Sequence, residues 1–318
     1  MCNPFSDHHF KKTPSQLEIT LHFLFNSTNM SSTTTPPPTP TILPYGTKPV
    51  NYQVTLDINL NECVYTFDTK ISFILAPNTS TIRLHWIPKK DDSIKKVEFA
   101  TFTTTSGKTH TSNNTLVEEE TQTILFTFDE VLPEIGGILH ISGSSLLDDS
   151  LCGLYRSKYT DPHTKQLKYM AVTQFEATDA RRCFPCVDEP AAKATFELTA
   201  IVDRSYDVVS NMPLSERKSL NERRVSISFP KSPIMSTYLV ALIVGEFDVI
   251  STLSSNGVRT SIFTPRGQSH LGKHALHVAS LALPFFEKEF GIQYPLPKSD
   301  LLAIPDFAAG KLSRGTHS

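Results

Sequence analysis

The chain has 318 residues, of which 39% are hydrophobic and 19% charged, and its formal net charge at pH 7 is −2. A charge so close to zero gives no electrostatic basis for binding nucleic acid or an anionic membrane. No apolar run reaches the roughly 18 residues that a membrane span needs. We therefore expect a globular protein of about two domains with neither nucleic acid nor membrane as a partner, and with an oligomeric state that the sequence leaves open.

The first 44 residues are predicted to form a disordered extension. Residues 26–44 consist mainly of Asn, Ser, Thr and Pro, and such a segment buries too little apolar surface to offset the entropy lost on ordering. Residues 21–25 are too short for the apolar region of a signal peptide. The chain has only 5 cysteines, an odd and sparse set that indicates a reducing compartment, so we expect a cytoplasmic protein.

From residue 45 to about 250 the hydrophobic period is two, which is typical of strands with one wet face. Residues 52–60 and 65–75 alternate clearly, and Asn61 and Glu62 between them predict a hairpin. Further strands are predicted at 82–86, 97–99, 124–128, 138–140, 169–175, 196–202, 225–229 and 238–244, whereas 103–114 is predicted to be turn-rich. Roughly a dozen strands without a convincing helix predict a mainly β domain, an antiparallel sandwich or saddle-like sheet.

After residue 250 the pattern becomes that of an α+β domain. We predict a strand pair around 258–263, a helix over 270–290 and a short buried strand over 301–304. Pro284 should kink or split the helix, and Gly291 should end it. Residues 251–310 are therefore predicted to be the start of a second domain, followed by an unrelated tail at 311–318.

The densest polar cluster lies at the end of the predicted strand 169–175. Gln174 and Glu176 stand at i and i+2, so they point to the same face of an extended chain. The charged turn that follows contains Arg181, Arg182, Asp188 and Glu189. A carboxylate at a strand end suits a cationic ligand group, but the residues alone favour a structural turn held by ion pairs.

Two other motifs suggest metal or redox chemistry. Cys183 and Cys186 form a C-x-x-C pair that lacks both the second pair of a zinc ribbon and the βαβ context of a thioredoxin motif. His270, His274 and His277 lie near one face of the predicted helix. We predict a structural thiol pair, a solvated helix face and no metal site.

Several blocks of sequence, in order, resemble the gluzincin zinc aminopeptidases, the family of aminopeptidase N and puromycin-sensitive aminopeptidase. The blocks are residues 153–159, 173–191, 236–241, 245–247, 264–267 and 304–307. The similarity covers about residues 45–310, and the cytosolic puromycin-sensitive branch is the most similar. It implies an N-terminal β domain followed by the truncated start of a thermolysin-like catalytic domain, and a parent activity that removes N-terminal residues from peptide substrates.

The resemblance also implies roles for three substrate-binding positions. Glu176 matches the family glutamate that binds the free α-amine of the substrate, and Gln174 matches a residue lining the pocket for the first side chain. Gly310 matches the first glycine of the Gly-Ala-Met-Glu-Asn substrate loop. An ion pair with the α-amine accounts for exopeptidase specificity. Val187 stands where this branch usually has a tryptophan.

The zinc chemistry of that family is not carried by these 318 residues, since no His-Glu-x-x-His motif occurs among them. A catalytic zinc needs about three protein ligands and an open position for water. We therefore expect zinc as a cofactor of the full-length family and not of this chain, and we assign no catalytic residue. Whether the chain is itself an enzyme stays open.

Three interpretations remain. The favoured one is an N-terminal fragment or truncated isoform of a zinc aminopeptidase, inactive alone. The second is an incomplete version of a full, active metalloaminopeptidase, and the third is a stand-alone β-sandwich binding module. Because the similarity stops inside a motif at Gly310, an unspliced or frame-shifted end is expected. In that case Phe285, Phe286 and Phe290 lack the surface that they would otherwise pack against.

Overall fold

The computed structural model describes residues 42–43, 47–76, 78–88, 96–132 and 136–307. The predicted disordered extension at 1–44 lies outside these ranges except for Ile42 and Leu43. Gly310 and the predicted tail at 311–318 also lie outside the described residues.

Strands make up most of the described chain. They are β1 Lys48–Asn59, β2 Val64–Ile74, β3 Thr81–His85, β4 Lys96–Thr104, β5 Thr109–Glu118, β6 Thr123–Phe128, β7 Gly137–Leu146, β8 Gly153–Thr160, β9 Leu167–Gln174, β10 Thr195–Asp203, β11 Asp207–Ser210, β12 Glu216–Ser219, β13 Arg224–Ser228, β14 Leu242–Gly245, β15 Phe247–Leu253, β16 Arg259–Pro265 and β17 Lys298–Leu302. The α-helix α1 spans Lys273–Phe290, and short 3₁₀ turns lie at Ala180–Arg182, Thr237–Leu239 and Ser269–Gly272.

The largest sheet has 10 strands in the order β12-β13-β10-β1-β2-β7-β4-β5-β6-β3. The predicted hairpin is confirmed, because β1 and β2 pair antiparallel with Asn59 opposite Val64. On its other side β1 pairs in parallel with β10. Buried side chains of β1 and β2 share one core with those of β3 and β6 from the far end of the strand order. The sheet therefore curves around its core, and the predicted mainly β domain is confirmed.

A second sheet has the order β11-β14-β9-β8, and the paired parts of its central strands β9 and β14 are buried on both faces. Ala171 of β9 packs into the large core, whereas its neighbours Met170 and Val172 pack into a smaller core with Phe247. Burial on both sides explains why β9 is a continuous apolar run rather than an alternating one. The smaller core is shared with the third sheet, β15-β16-β17, so the end of β9 lies where these two sheets meet.

Two strand predictions before residue 250 are wrong. The segment 103–114 is not a long turn, since it holds the end of β4 and the first half of β5. Most side chains of β5 are exposed, so the strand lacks the apolar alternation by which strands are recognised. The segment 238–244 is not one strand either, because it begins in the 3₁₀ turn Thr237–Leu239 and pairs only from Leu242 onward.

Beyond residue 250 the predicted strand near 258–263 and the helix are confirmed as β16 and α1. The helix ends at Gly291, which adopts a left-handed conformation with φ of 66°. Of the kink or split predicted at Pro284, the split is wrong, because a proline removes only one backbone donor and the helix continues through it; the kink stays a prediction. The short strand predicted at 301–304 is present as β17, Lys298–Leu302, but its predicted burial is wrong. β17 lies at the edge of its sheet, and Leu301 is 37% exposed. The domain boundary predicted at residue 250 falls inside β15 and stays a prediction.

Candidate functional site

The last residues of β9 and the turn after it carry the two polar positions singled out in the sequence. Gln174 ends the strand and is buried, whereas Glu176 lies just beyond the strand and is exposed. The Gln174 side chain donates from Nε2 to the backbone oxygen of Glu176 at 3.4 Å. The peptide bond between Glu176 and Ala177 is cis. The structure thus brings Gln174 and Glu176 together, while Gly310 lies outside the described residues.

Gln174 and Glu176 line a cavity of about 340 Å³. Its other described lining residues are Val172, Thr173, Phe175, Tyr238, Leu239, Val240, Ala241, Ile243, Leu302, Ile304 and Phe307. Glu176 is the one charged residue in this described lining, and the rest is mainly apolar. A cavity of this kind, apolar with a few polar groups at defined places, is typical of a small-ligand site.

The carboxylate of Glu176 meets no cation and no hydrogen-bond donor within the described part of the chain. An exposed carboxylate beside an apolar cavity is free to pair with a ligand ammonium. The strength of such a pair rises when the ligand excludes water from the cavity, because the local dielectric constant falls.

The floor of the cavity is completed by the segment after β17. Tyr155 of β8 donates from its hydroxyl to the backbone oxygen of Asp306 at 2.8 Å, and the backbone nitrogen of Asp306 donates to the Ser157 hydroxyl at 3.3 Å. Burial, with a smaller effect of the nearby Asp306 charge, raises the pKa of Tyr155. These bonds hold Ile304 and Phe307 against the second sheet, although they are more than 120 residues from β9 in sequence.

The charged turn that follows Glu176 is structural, as the residues alone suggest. Arg181 donates from its backbone nitrogen and from Nε to Asp188 Oδ2, both at 3.1 Å, and both side chains are buried. The Thr237 hydroxyl donates to the other carboxylate oxygen of Asp188 at 2.7 Å. Asp188 also donates from its backbone nitrogen to His85 Nδ1 at 3.1 Å. The side chains of Arg181 and Asp188 do not line the cavity, and their bonds join the Glu176 segment to the Tyr238 segment.

Neither of the two weaker motifs forms a metal site among the described residues. Cys183 and Cys186 are both fully buried, and burial raises the pKa of the Cys186 thiol. His270, His274 and His277 are exposed. No group of three His, Cys, Asp or Glu side chains in the described ranges is arranged to hold a metal ion. The described residues therefore do not fit a catalytic zinc.

Sequence reasoning did not identify the wall of the cavity opposite Glu176. Tyr238 and Leu239 were assigned to a strand, and Leu302 was assigned to a buried one, so none of them was expected to face a ligand. The available signal was the Ser236–Ala241 block itself, which is part of the family resemblance.

In the described chain, no helix has the length and apolarity that crossing a bilayer requires.

Comparison with known proteins identifies the relationship. The sequence profile of the peptidase M1 N-terminal domain matches residues 48–239, more than half of the chain. Aminopeptidase M1 of Arabidopsis thaliana is 39% identical over 270 residues, which are 85% of this chain and 30% of the relative. Aminopeptidase M1-A of Oryza sativa subsp. japonica is 40% identical with the same coverage.

A fungal relative gives the same result. The mitochondrial aminopeptidase 2 of Saccharomyces cerevisiae is 36% identical over 275 residues, covering 85% of this chain and 28% of its own length. The chain therefore spans about 30% of the length of the curated relatives that it matches. The chain belongs to the peptidase M1 family and carries its N-terminal domain.

Proposed function

We propose that this chain supplies the substrate-amine recognition site of a zinc-dependent aminopeptidase. In this proposal Glu176 pairs with the free α-amine of a peptide, and Gln174 contacts the first side chain. The supporting observation is the unpaired, exposed carboxylate of Glu176 at an otherwise uncharged cavity. An internal stretch of peptide has no ammonium to offer, so the ion pair would select chain ends. Gly310 would begin the loop on the far side of the substrate, and the protein would act in the cytoplasm.

Binding of a peptide and its hydrolysis are separate properties of this chain in the proposed function. The peptidase M1 family is zinc-dependent in general, and the curated relatives named above are aminopeptidases. The described residues bring together no ligand set for that metal. We propose that the chain by itself binds the end of a peptide and does not cleave it.

The expected affinity is low. An exposed ion pair contributes about 0–1 kcal/mol, and burying one aliphatic side chain contributes about 1.5–3 kcal/mol. Their sum, about 1.5–4 kcal/mol, reaches at most the roughly 4 kcal/mol that corresponds to a dissociation constant of about 1 mM. Binding is therefore best measured by a method that is sensitive to weak complexes, such as NMR titration.

The first test compares leucine amide, which has a free amine, with N-acetylleucine amide, which has none. We expect leucine amide to bind with a dissociation constant of about 1 mM or higher, and acetylation to weaken binding by up to about fivefold, or about 1 kcal/mol. Glu176→Gln keeps the size of the side chain and removes its charge, so it should abolish the difference between the two ligands. Equal binding of both ligands to the wild-type chain would contradict the role of Glu176 and would favour a stand-alone binding module.

The second test is hydrolysis of a fluorogenic aminoacyl substrate by the purified chain, with added zinc and with a chelator control. We expect no hydrolysis in either case, because the described residues form no zinc site. Activity that the chelator abolishes would show that the proposed inactivity is wrong.

A further inference from the structure

The Glu176 cavity lies between two walls that are tied together at one end by the second sheet. One wall is the end of β9 with Glu176, and the other is the segment 238–241. Val172 of β9 pairs with Ile243 of β14, and the backbone nitrogen of Leu242 donates to the Thr173 hydroxyl at 2.8 Å. At this end the spacing between the walls is set by a strand ladder.

The walls are tied again at the other end, by side chains. The backbone nitrogen of Asp179 donates to the oxygen of Phe175 at 2.8 Å, which leads the chain from the cavity into the 3₁₀ turn with Arg181. Arg181 holds one oxygen of Asp188, and the Thr237 hydroxyl donates to the other at 2.7 Å. Thr237 directly precedes Tyr238, so this chain of bonds runs from one wall to the other.

The second tie is buried and fully bonded. Arg181, Asp188 and Thr237 are each at most 2% exposed. His85, also buried, accepts from the backbone nitrogen of Asp188 and fixes that residue from a third side. A satisfied network in a low-dielectric interior is rigid. None of these side chains lines the cavity, so any effect on a ligand passes through the walls.

We propose that Thr237 is a positioning residue for peptide binding: through Asp188 and Arg181, its hydroxyl sets the distance between Tyr238–Leu239 and Gln174–Glu176. The inference rests on the proposed function of Glu176. A wall held at both ends keeps its spacing, whereas release of one end lets residues 238–240 move relative to β9. Shifts of about 1 Å in a supporting segment are enough to weaken a site.

The test uses Thr237→Val, which keeps the shape of the side chain and removes the hydroxyl, and Thr237→Ser, which restores the hydroxyl. The matched control is Ser254→Ala in the turn between β15 and β16. The Ser254 hydroxyl is also buried and bonds the nitrogen and oxygen of Val258 at 3.1 and 2.9 Å. The readouts are the dissociation constant of leucine amide and the NMR resonance of the Gln174 side-chain amide, with the melting temperature recorded for each variant.

We expect Thr237→Val to weaken leucine amide binding about tenfold and to shift the Gln174 resonance. Thr237→Ser should return both readouts to near the wild-type values. Ser254→Ala should lower the melting temperature and leave both readouts unchanged. If Thr237→Val lowers the melting temperature as the control does and moves neither readout, Thr237 is only structural and the inference fails.

Failure of the inference is distinguishable from failure of the proposed function. If the wild-type chain binds leucine amide and its acetylated form equally, the role of Glu176 fails. A Gln174 resonance that moves in Thr237→Val and returns in Thr237→Ser would still support the positioning role, and an unmoved resonance would overturn it. If Thr237→Val does not fold, Thr237→Ala removes the same hydroxyl, leaves room for a water beside Asp188, and is judged by the same readouts.

Discussion

Asp161 is a nearly buried carboxylate in the turn that leads from β8 into β9. Its Oδ1 accepts from the backbone nitrogens of His163 and Thr164, both at 2.9 Å, and Lys168 lies 3.2 Å from Oδ2. The bond from Thr164, followed by those from His163 and Lys168, holds the pKa of Asp161 well below its usual range, although burial opposes the shift. The charge of Asp161 therefore stabilises the connection that places β9, the strand that carries Gln174.

Asp161→Asn should be less stable than the wild-type chain at pH 7, because the amide accepts the same backbone bonds without the charge. The folded pKa of Asp161 lies below the unfolded value of about 3.9. Its stabilisation is thus fully present above the unfolded pKa and is lost as the pH falls through the folded pKa. Urea unfolding at pH 7, 5 and 3 measures the free energy of unfolding of both chains. The difference between Asp161→Asn and the wild-type chain should be smallest at pH 3.

The exposed Asp207, at the start of β11, provides the control for this measurement. Asp207→Asn should have little effect on the unfolding free energy at any of these pH values. If the unfolding free energies of Asp161→Asn and the wild-type chain differ by the same amount at every pH, the turn is stabilised by packing and not by charge.

The helix α1 is only shallowly embedded in the described chain. It packs on β15 and β16, but no residue of the helix is fully buried. Its outward face carries Phe285, Phe286 and Phe290, which are 58%, 50% and 68% exposed. The rings of Phe286 and Phe290 stack on each other with centroids 5.8 Å apart. Within the described chain these three side chains therefore form an exposed apolar patch.

The double variant Phe286→Gln/Phe290→Gln should reduce self-association with little change in melting temperature. Exposed aromatic patches promote association, and glutamine is at least as good a helix former as phenylalanine. Sedimentation velocity over a concentration series, with thermal unfolding in parallel, measures both effects. Leu276→Gln on the half-buried inner face is the control and should destabilise the chain by about 1 kcal/mol.

Two results would contradict this view of α1. Unchanged association of the double variant would show that the outward face does not mediate contacts. A melting temperature that falls as far as that of Leu276→Gln would show that Phe286 and Phe290 contribute to the packed core.

The elements that the sequence predicted well are those in which local pattern and burial agree. Strands β1 and β2 have one buried face, and their alternation and hairpin follow directly from the residues. Strand β5 was missed because its polar side chains are mostly exposed, so nothing in its pattern differs from a loop. The turn at Tyr238 was missed because its shape depends on the Thr237 bond to Asp188, 49 residues away in sequence.

In the candidate site, too, the features that depend on distant residues could not be predicted from the sequence. Local chemistry placed Gln174 and Glu176 on one side of a strand end but favoured an ion-pair turn, and only the family resemblance suggested a bound amine. The opposite wall comes from residues 238–241 and the floor from residues 302–307, brought close by sheet pairing and by the bond from Tyr155 to Asp306. Hydrophobic periodicity records which residues are buried, not which distant segments meet.

Across the whole described chain, burial is distributed unevenly. The large core combines strands from the two halves of the ten-stranded sheet, from β13, β10, β1 and β2 to β6 and β3. The smaller core joins the third sheet to β8 and β9 through only a few buried side chains. Local opening requires less free energy where few apolar contacts must be broken. The third sheet with α1 should therefore open before the large sheet does.

Hydrogen exchange followed by mass spectrometry tests this order. Amides in residues 273–307 should exchange about 100-fold faster than those in β1, β2 and β10, which corresponds to about 2.8 kcal/mol less opening free energy. β16 pairs on both sides and should fall between the two groups. Uniform exchange would mean that the chain opens as one unit and would contradict the prediction. Because Leu302, Ile304 and Phe307 line the floor of the cavity, leucine amide should slow exchange in residues 302–307, whereas Glu176→Gln should reduce that protection. Binding at the amine site and opening of the third sheet would then be thermodynamically coupled, because the ligand would favour the closed form.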